Sequence, residues 1–248
     1  MMPMPPSPSS TPELSVVILG YREQDRLPGF VATVKREVHE LGIPFEIILI
    51  ANYWPQIVDK TPQVAMQLAE KDPRITVVSK PKKGRMGWDM RSGLKAARGR
   101  LITIIDGDGQ FQPSDIAKLY HELNDRHLDL CQTYRVQRAD GWVRRILSKV
   151  YNFVFGLLFP GTGLSDVNAK PKLMTRALYE SLQLTSDDWF IDAEIVIQAR
   201  RRHCPMGQIP SIFGKKEGKS YINASSLFEF AKNLMAFRLR ETLRRFRS

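Results

Sequence analysis

Short apolar runs alternate with segments of helical spacing along the first half of the chain. Leu14 to Leu19 and Phe45 to Ile50 are strongly apolar, the pattern of strands buried on both faces. Between them Leu27, Phe30, Val31, Val34, Val38 and Leu41 recur at helical spacing, with Pro28 suited to the first turn. Pro62 to Lys71 predicts a second helix, Ile75 to Val78 a short strand, and Trp88 to Ala97 a third helix closed by Gly99. Leu101 to Ile105 is a further buried strand, and it runs into Asp106-Gly107-Asp108-Gly109-Gln110. This alternation predicts an α/β fold, a mostly parallel sheet with crossover helices on both faces. Beyond it the pattern predicts a helix from Ser114-Asp115 to Asp125, a strand over Leu128 to Thr133, and a helix over Arg144 to Phe159. A helix over Asp192 to Arg202, a strand near Gln208 to Phe213 and a basic amphipathic helix over Ser226 to Arg247 complete the reading.

With 43% hydrophobic residues among 248, the chain can bury a full core. A net charge of +11 points to an anionic partner: nucleic acid, a phosphorylated substrate or an acidic membrane surface. Nucleic acid is disfavoured, since no aromatic platform or reading-helix motif is present. Cys131 and Cys204 form no framework, which fits buried thiols in a reducing compartment. The Pro- and Ser-rich N-terminus reads as a disordered tail over 1–13 without the apolar core of a signal peptide. No run approaches the ~18 apolar residues of a membrane span. His39, His121, His127 and His203 lack metal-ligand spacing.

The chemistry concentrates after the central strand. Asp106 and Asp108 are two positions apart, so in extended backbone they converge on one point at the carboxyl end of the sheet, where open α/β sheets bind ligands. Two hard oxygen donors suit Mg²⁺ or Mn²⁺, which takes its other ligands from water and substrate phosphates. The plainer alternative is a polar turn with one Asp capping the next helix.

Read together with a basic, glycine-bearing loop before a helix, the Asp-x-Asp segment resembles that of a family 2 glycosyltransferase of the GT-A fold. The nearest branch is that of dolichyl-phosphate mannose synthase and polyprenyl-phosphate glycosyltransferases. The resemblance runs in order from Leu14 to Tyr221 and implies a GT-A domain over 14–222, followed by the basic helix over 223–248. It implies a metal-dependent, inverting transfer of a sugar from a nucleoside-diphosphate sugar to a polyprenyl phosphate. The expected setting is cytoplasmic, peripheral on the cytosolic face of a membrane. Transfer to a soluble or glycan acceptor stays open, as does an inactive nucleotide-sugar-binding protein.

On the donor side the resemblance assigns Gly20, Tyr21 and Glu23 to the first nucleotide-binding turn, and Asn52 to the second strand's end, where the family has aspartate. Gly84 and Arg91 belong to its glycine-punctuated segment, Asp106, Asp108 and Gln110 to the metal motif, and Lys215 and Ser220 to a loop over the diphosphate. On the acceptor side it assigns Arg135, the stripe Arg144, Ser148 and Asn152, and Asp192 with Glu194 at a helix head. Glu194 and Asp192 are equally explained as acidic residues favouring a helix N-terminus, worth about 1 kcal/mol. Asp166 aligns with an aspartate lining the family's site, as a positioning residue first and a base second. The Arg…Ser…Asn stripe has a polar surface face as its alternative. An interfacial helix explains both that stripe and the apolar end after it.

Overall fold

The computed structural model describes residues 11–138, 142–214 and 232–239. Four parallel strands build the first half: β1 (Leu14–Leu19), β2 (Phe45–Ile50), β3 (Ile75–Val78) and β4 (Leu101–Asp106). They are connected through α1 (Leu27–His39), α2 (Thr61–Lys71) and α3 (Met86–Ala96). The second half adds α4 (Asp115–Asp125), β5 (Leu130–Arg138), α5 (Trp142–Leu158), β6 (Lys172–Thr175), α6 (Arg176–Ser181), α7 (Ile191–Arg201) and β7 (Met206–Phe213). The seven strands form one sheet in the order β3-β2-β1-β4-β6-β5-β7. Only β6 runs against its neighbours β4 and β5.

Side chains alternate across the central strands, so each contributes to two cores. Val16, Ile18, Ile47, Leu49, Leu101 and Ile105 pack on the α1–α2–α4 side, whereas Val17, Ile48, Ile50, Ile102 and Ile104 pack on the α3–α7 side. Double-sided burial is why these strands read as continuous apolar runs.

Two elements, β6 and α6, have no counterpart in the sequence pattern. Lys172, at the start of β6, is fully buried, and a strand opening on an internal lysine escapes a hydrophobicity reading. Gly99 is not the C-cap of α3, which is Ala97. Gly99 instead lets the backbone pass Ser15: a Cβ there would lie 2.6 Å from the Ser15 amide nitrogen. Residues 1–10 of the expected tail lie outside the described residues, and Glu13 donates its amide to the Pro44 carbonyl and pairs with Arg100. Of the C-terminal basic helix, the described part, 232–239, is helical and packs onto the domain. Leu234 and Phe237 are buried there, Phe237 stacks 4.9 Å from Phe190, and Asn233 donates to Asp188 at 2.6 Å.

Candidate functional site

Sheet order places the site. After β1 the chain builds outward through β2 and β3, then returns to the other side of β1 as β4. This reversal opens a crevice at the carboxyl ends of β1 and β4, the usual ligand position in such sheets. In register there, Leu19 faces Asp106, so the Gly20–Glu23 turn and the Asp-x-Asp segment are neighbours.

Asp106 is the last residue of β4 and keeps 27% of its side chain exposed. The strand pattern ends there, so strand alternation does not orient Asp108. Gly107 makes one more sheet-like hydrogen bond to the Leu19 carbonyl, at 2.9 Å, and Asp108 lies in the turn. Asp108 Oδ1 accepts from the Gln110 amide at 3.1 Å, and Gly109 takes φ +72°. Gln110 ties this turn to the end of β7 twice, through Nε2 to the Gly214 carbonyl and its own carbonyl to the Gly214 amide.

Behind Asp106 lies a buried ionic cluster. Lys170 Nζ is 3.6 Å from Asp106 Oδ2 and 2.9 Å from Asp192 Oδ2, and Lys172 Nζ is 3.4 Å from Asp192 Oδ1. Lys172 also donates to Gln132 Oε1 at 2.6 Å and to the Val167 carbonyl at 2.9 Å. Burial alone would lower the Lys170 pKa, but the carboxylates of Asp106 and Asp192 outweigh it and hold it above the usual lysine range. For Lys172 burial wins over Asp192, and neighbouring Lys170 adds to the effect, so its pKa is pushed down to about 8.

Three of the expected acceptor residues, Arg135, Ser148 and Asn152, gather around a cavity of about 730 Å³ between β5, β7 and α5. Arg135 and Asp166 line it together: Nε and Nη2 of the guanidinium meet the two carboxylate oxygens at 2.6 and 2.7 Å, a bidentate fork. The guanidinium carbon lies 5.1 Å over the Phe213 ring. Ser148 and Asn152 line the wall as expected, but the cationic partners on α5 are Arg145 and Lys149 rather than Arg144. The sequence reading missed both, although positions 145, 148, 149 and 152 follow helical spacing. Asn152 also braces the wall, accepting from the Val167 amide at 3.0 Å.

Three other expected residues sit differently. Asn52 is buried, with Oδ1 accepting from the Lys80 amide and Nδ2 donating to Asp89. Asp89 also pairs with Lys82, whose ammonium lies 4.5 Å over the Tyr21 ring. Burial raises the Asp89 pKa despite Lys82 and Asn52. Asp192 lies under the metal motif, held by the two lysines, away from the cavity wall. Glu194 is equally buried, accepting from Thr185 and Ser186 to hold the loop before α7. Gly84 and Arg91 meet the same loop: a Cβ on Gly84 would lie 2.8 Å from Asp187 Cβ, and Arg91 pairs with Asp187 at 2.5 Å. Gly20 passes the Ile50 carbonyl closely, and Glu23 is buried within 4.0 Å of Arg26. Lys215 and Ser220 lie outside the described residues.

The protein's share of a metal site is small. Among the described residues no group of three or more His, Cys, Asp or Glu side chains could hold an ion. Asp106 and Asp108 are the two carboxylates that would hold an ion here, with ligand oxygens and water completing its coordination, as Mg²⁺ and Mn²⁺ allow.

Comparisons with known proteins bear on the fold and the family. Dolichyl-phosphate beta-glucosyltransferase from Homo sapiens is 26% identical over 94% of this chain and 76% of its own length, and that from Mus musculus is 25% identical over the same shares. Dodecaprenyl-phosphate galacturonate synthase from Rhizobium johnstonii is 35% identical, over 40% of this chain and 29% of its own. The structure of glucosyl-3-phosphoglycerate synthase from Mycobacterium tuberculosis with Mn²⁺, uridine diphosphate and glucosyl-3-phosphoglycerate shares the GT-A-like fold. Its TM-score is 0.69 at 16% identity, over 91% of this chain and 78% of that one. The model of Glycosyl transferase family 2 matches residues 15–183, the segment that carries β1 to β6, the Asp-x-Asp turn and the Arg135–Asp166 fork, and the chain belongs to that family.

Proposed function

We propose that the protein transfers a sugar, with inversion, from a nucleoside-diphosphate sugar to the phosphate of a polyprenyl phosphate at a membrane surface. The observation that carries this reading is the α5 cavity. Three cations, Arg135, Arg145 and Lys149, line it against one carboxylate, Asp166, an imbalance that suits a phosphate dianion. Val136 and Ile212 line the same cavity and are half exposed, so its rim is greasy as well as basic. Along α5, Trp142, Ile146, Val150, Phe153 and Leu157 form an exposed apolar stripe, between 50% and 72% accessible, while Phe155 and Phe159 face the core. The helix carries no acidic residue. An apolar stripe flanked by Arg and Lys matches a helix lying in the headgroup region of an anionic membrane. Among the described residues no helix is long and apolar enough to cross a membrane. The related proteins named for dolichyl and dodecaprenyl phosphate support the same acceptor class.

In the reaction an acceptor phosphate oxygen attacks the anomeric carbon from the face opposite the leaving group. The bond from that carbon to the nucleoside diphosphate breaks, and its electron pair leaves with the diphosphate. A phosphate is already anionic at neutral pH, so no base is required, and the Asp166 carboxylate holds Arg135 in position. Asp106 and Asp108 would hold a divalent ion, which when bound would supply Lewis-acid stabilisation of the leaving diphosphate. The test is a donor screen with purified protein, Mn²⁺ and a short polyprenyl phosphate, beginning with UDP-glucose and scoring lipid-linked sugar. Transfer to soluble glycans with none to the lipid phosphate overturns the acceptor assignment.

A further inference from the structure

Lys170 places a positive charge against Asp106, one of the two carboxylates that the reading above assigns to the ion. Its side chain is 3% exposed, with Nζ between Asp192 at 2.9 Å and Asp106 at 3.6 Å. The ammonium cannot swing into solvent, because it is enclosed by these carboxylates and by Met86 Sδ at 3.4 Å. A second buried cation, Lys172, also meets Asp192. Both lysines face Asp192 and Lys170 also faces Asp106, so part of the Asp106 charge that would attract an ion is already offset.

An ion bound to Asp106 at the usual distance of about 2.1 Å would sit within roughly 6 Å of this ammonium, where repulsion remains large even with strong screening. A diphosphate offsets that repulsion. Anionic oxygens entering the crevice are attracted by ammonium and ion alike, so the two cations then share one ligand. Resting on the metal reading above, we infer that Lys170 is a positioning residue that makes ion binding depend on the donor's diphosphate. The free site holds the divalent ion weakly, and ion and nucleotide bind as a coupled pair. By linkage the coupling factor is the same in either direction.

The experiment titrates Mn²⁺ into the full chain, with and without saturating UDP and, separately, GDP. Free Mn²⁺ is followed by its electron paramagnetic resonance signal, so turnover is not required. In the unaltered protein the diphosphate should tighten Mn²⁺ roughly hundredfold. Lys170→Met should tighten Mn²⁺ in the absence of nucleotide by roughly tenfold or more and shrink the coupling to below roughly tenfold. Lys170→Gln keeps a donor for Asp192, should behave the same way, and carries the test if the methionine variant unfolds. Lys170→Arg retains the charge and should keep the strong coupling. Unchanged nucleotide-free affinity and coupling in the Gln variant overturn the role of Lys170 while leaving the metal site intact. Absence of Mn²⁺ binding to the unaltered protein even with both nucleotides overturns the metal reading, and this inference with it.

Discussion

Val17, Ile48 and Ile104, in the β1–β4 half of the sheet, lie fully buried in an apolar cluster. At the same depth in the β6–β5–β7 half sit Lys170, Lys172, Asp192, Gln132 and Asp166. The first half is stabilised by area removed from water, and its crevice residues sit at strand ends where the pattern runs out. Both halves bury ion pairs, Lys82–Asp89 in the first, but the second gathers them into one cluster around Asp192, which contributes little net stability but fixes side chains in one geometry. What the difference teaches is a division of labour. One half is a mostly apolar platform, and the other holds charge in place around the α5 cavity.

Asp108→Asn would break the comparison most severely. It removes a metal-motif carboxylate from a turn, so transfer should fall at least roughly thousandfold while the thermal midpoint stays unchanged. Undiminished turnover refutes the metal role. Arg135→Ala should raise the acceptor KM roughly hundredfold and leave the donor KM alone, since the Arg135–Asp166 fork lines the α5 cavity. Equal effects on both substrates would argue against the cavity as the acceptor site. Arg145→Ala should follow Arg135→Ala more closely than Arg144→Ala does, because Arg145 lines the cavity.

The double change Phe153→Asp and Leu157→Asp should weaken partition onto anionic vesicles roughly tenfold, read by pelleting, with transfer to a short, water-soluble prenyl phosphate retained. In the apolar half, Ile104→Val should cost about 1 kcal/mol of stability in denaturant titration with both KM values unchanged. The last test is a pH slope. Lys172 releases its proton near pH 8 in the folded protein, against 10.5 as the ordinary value. Between these values the unfolded chain holds the extra proton, so this lysine's contribution to stability rises with pH. Lys172→Met should flatten the stability slope in that window by up to roughly 1 kcal/mol per pH unit.

The four parallel strands were legible because burial on both faces demands unbroken apolar runs, a property written residue by residue. The Asp-x-Asp turn was visible as a position, but by itself it reads equally as a polar turn capping the next helix, and only the rest of the chain set it apart. β6 was not legible. Its Lys172 is compatible with the interior only because Asp192, Gln132 and the Val167 carbonyl come from elsewhere in the chain to meet it. Asn52 shows the converse: its position marks the crevice, yet Lys80 and Asp89 occupy both ends of its amide.

By itself the sequence determined the layered α/β architecture, the α5 helix and the carboxylate pair, because each depends on neighbours close along the chain. Only the tertiary structure decided that Arg145 and Lys149 line the cavity, that Asp166 grips Arg135, and that Lys170 stands behind Asp106. Those are contacts between distant segments, and local periodicity carries no information about which of two adjacent cations on a helix turns toward a cavity.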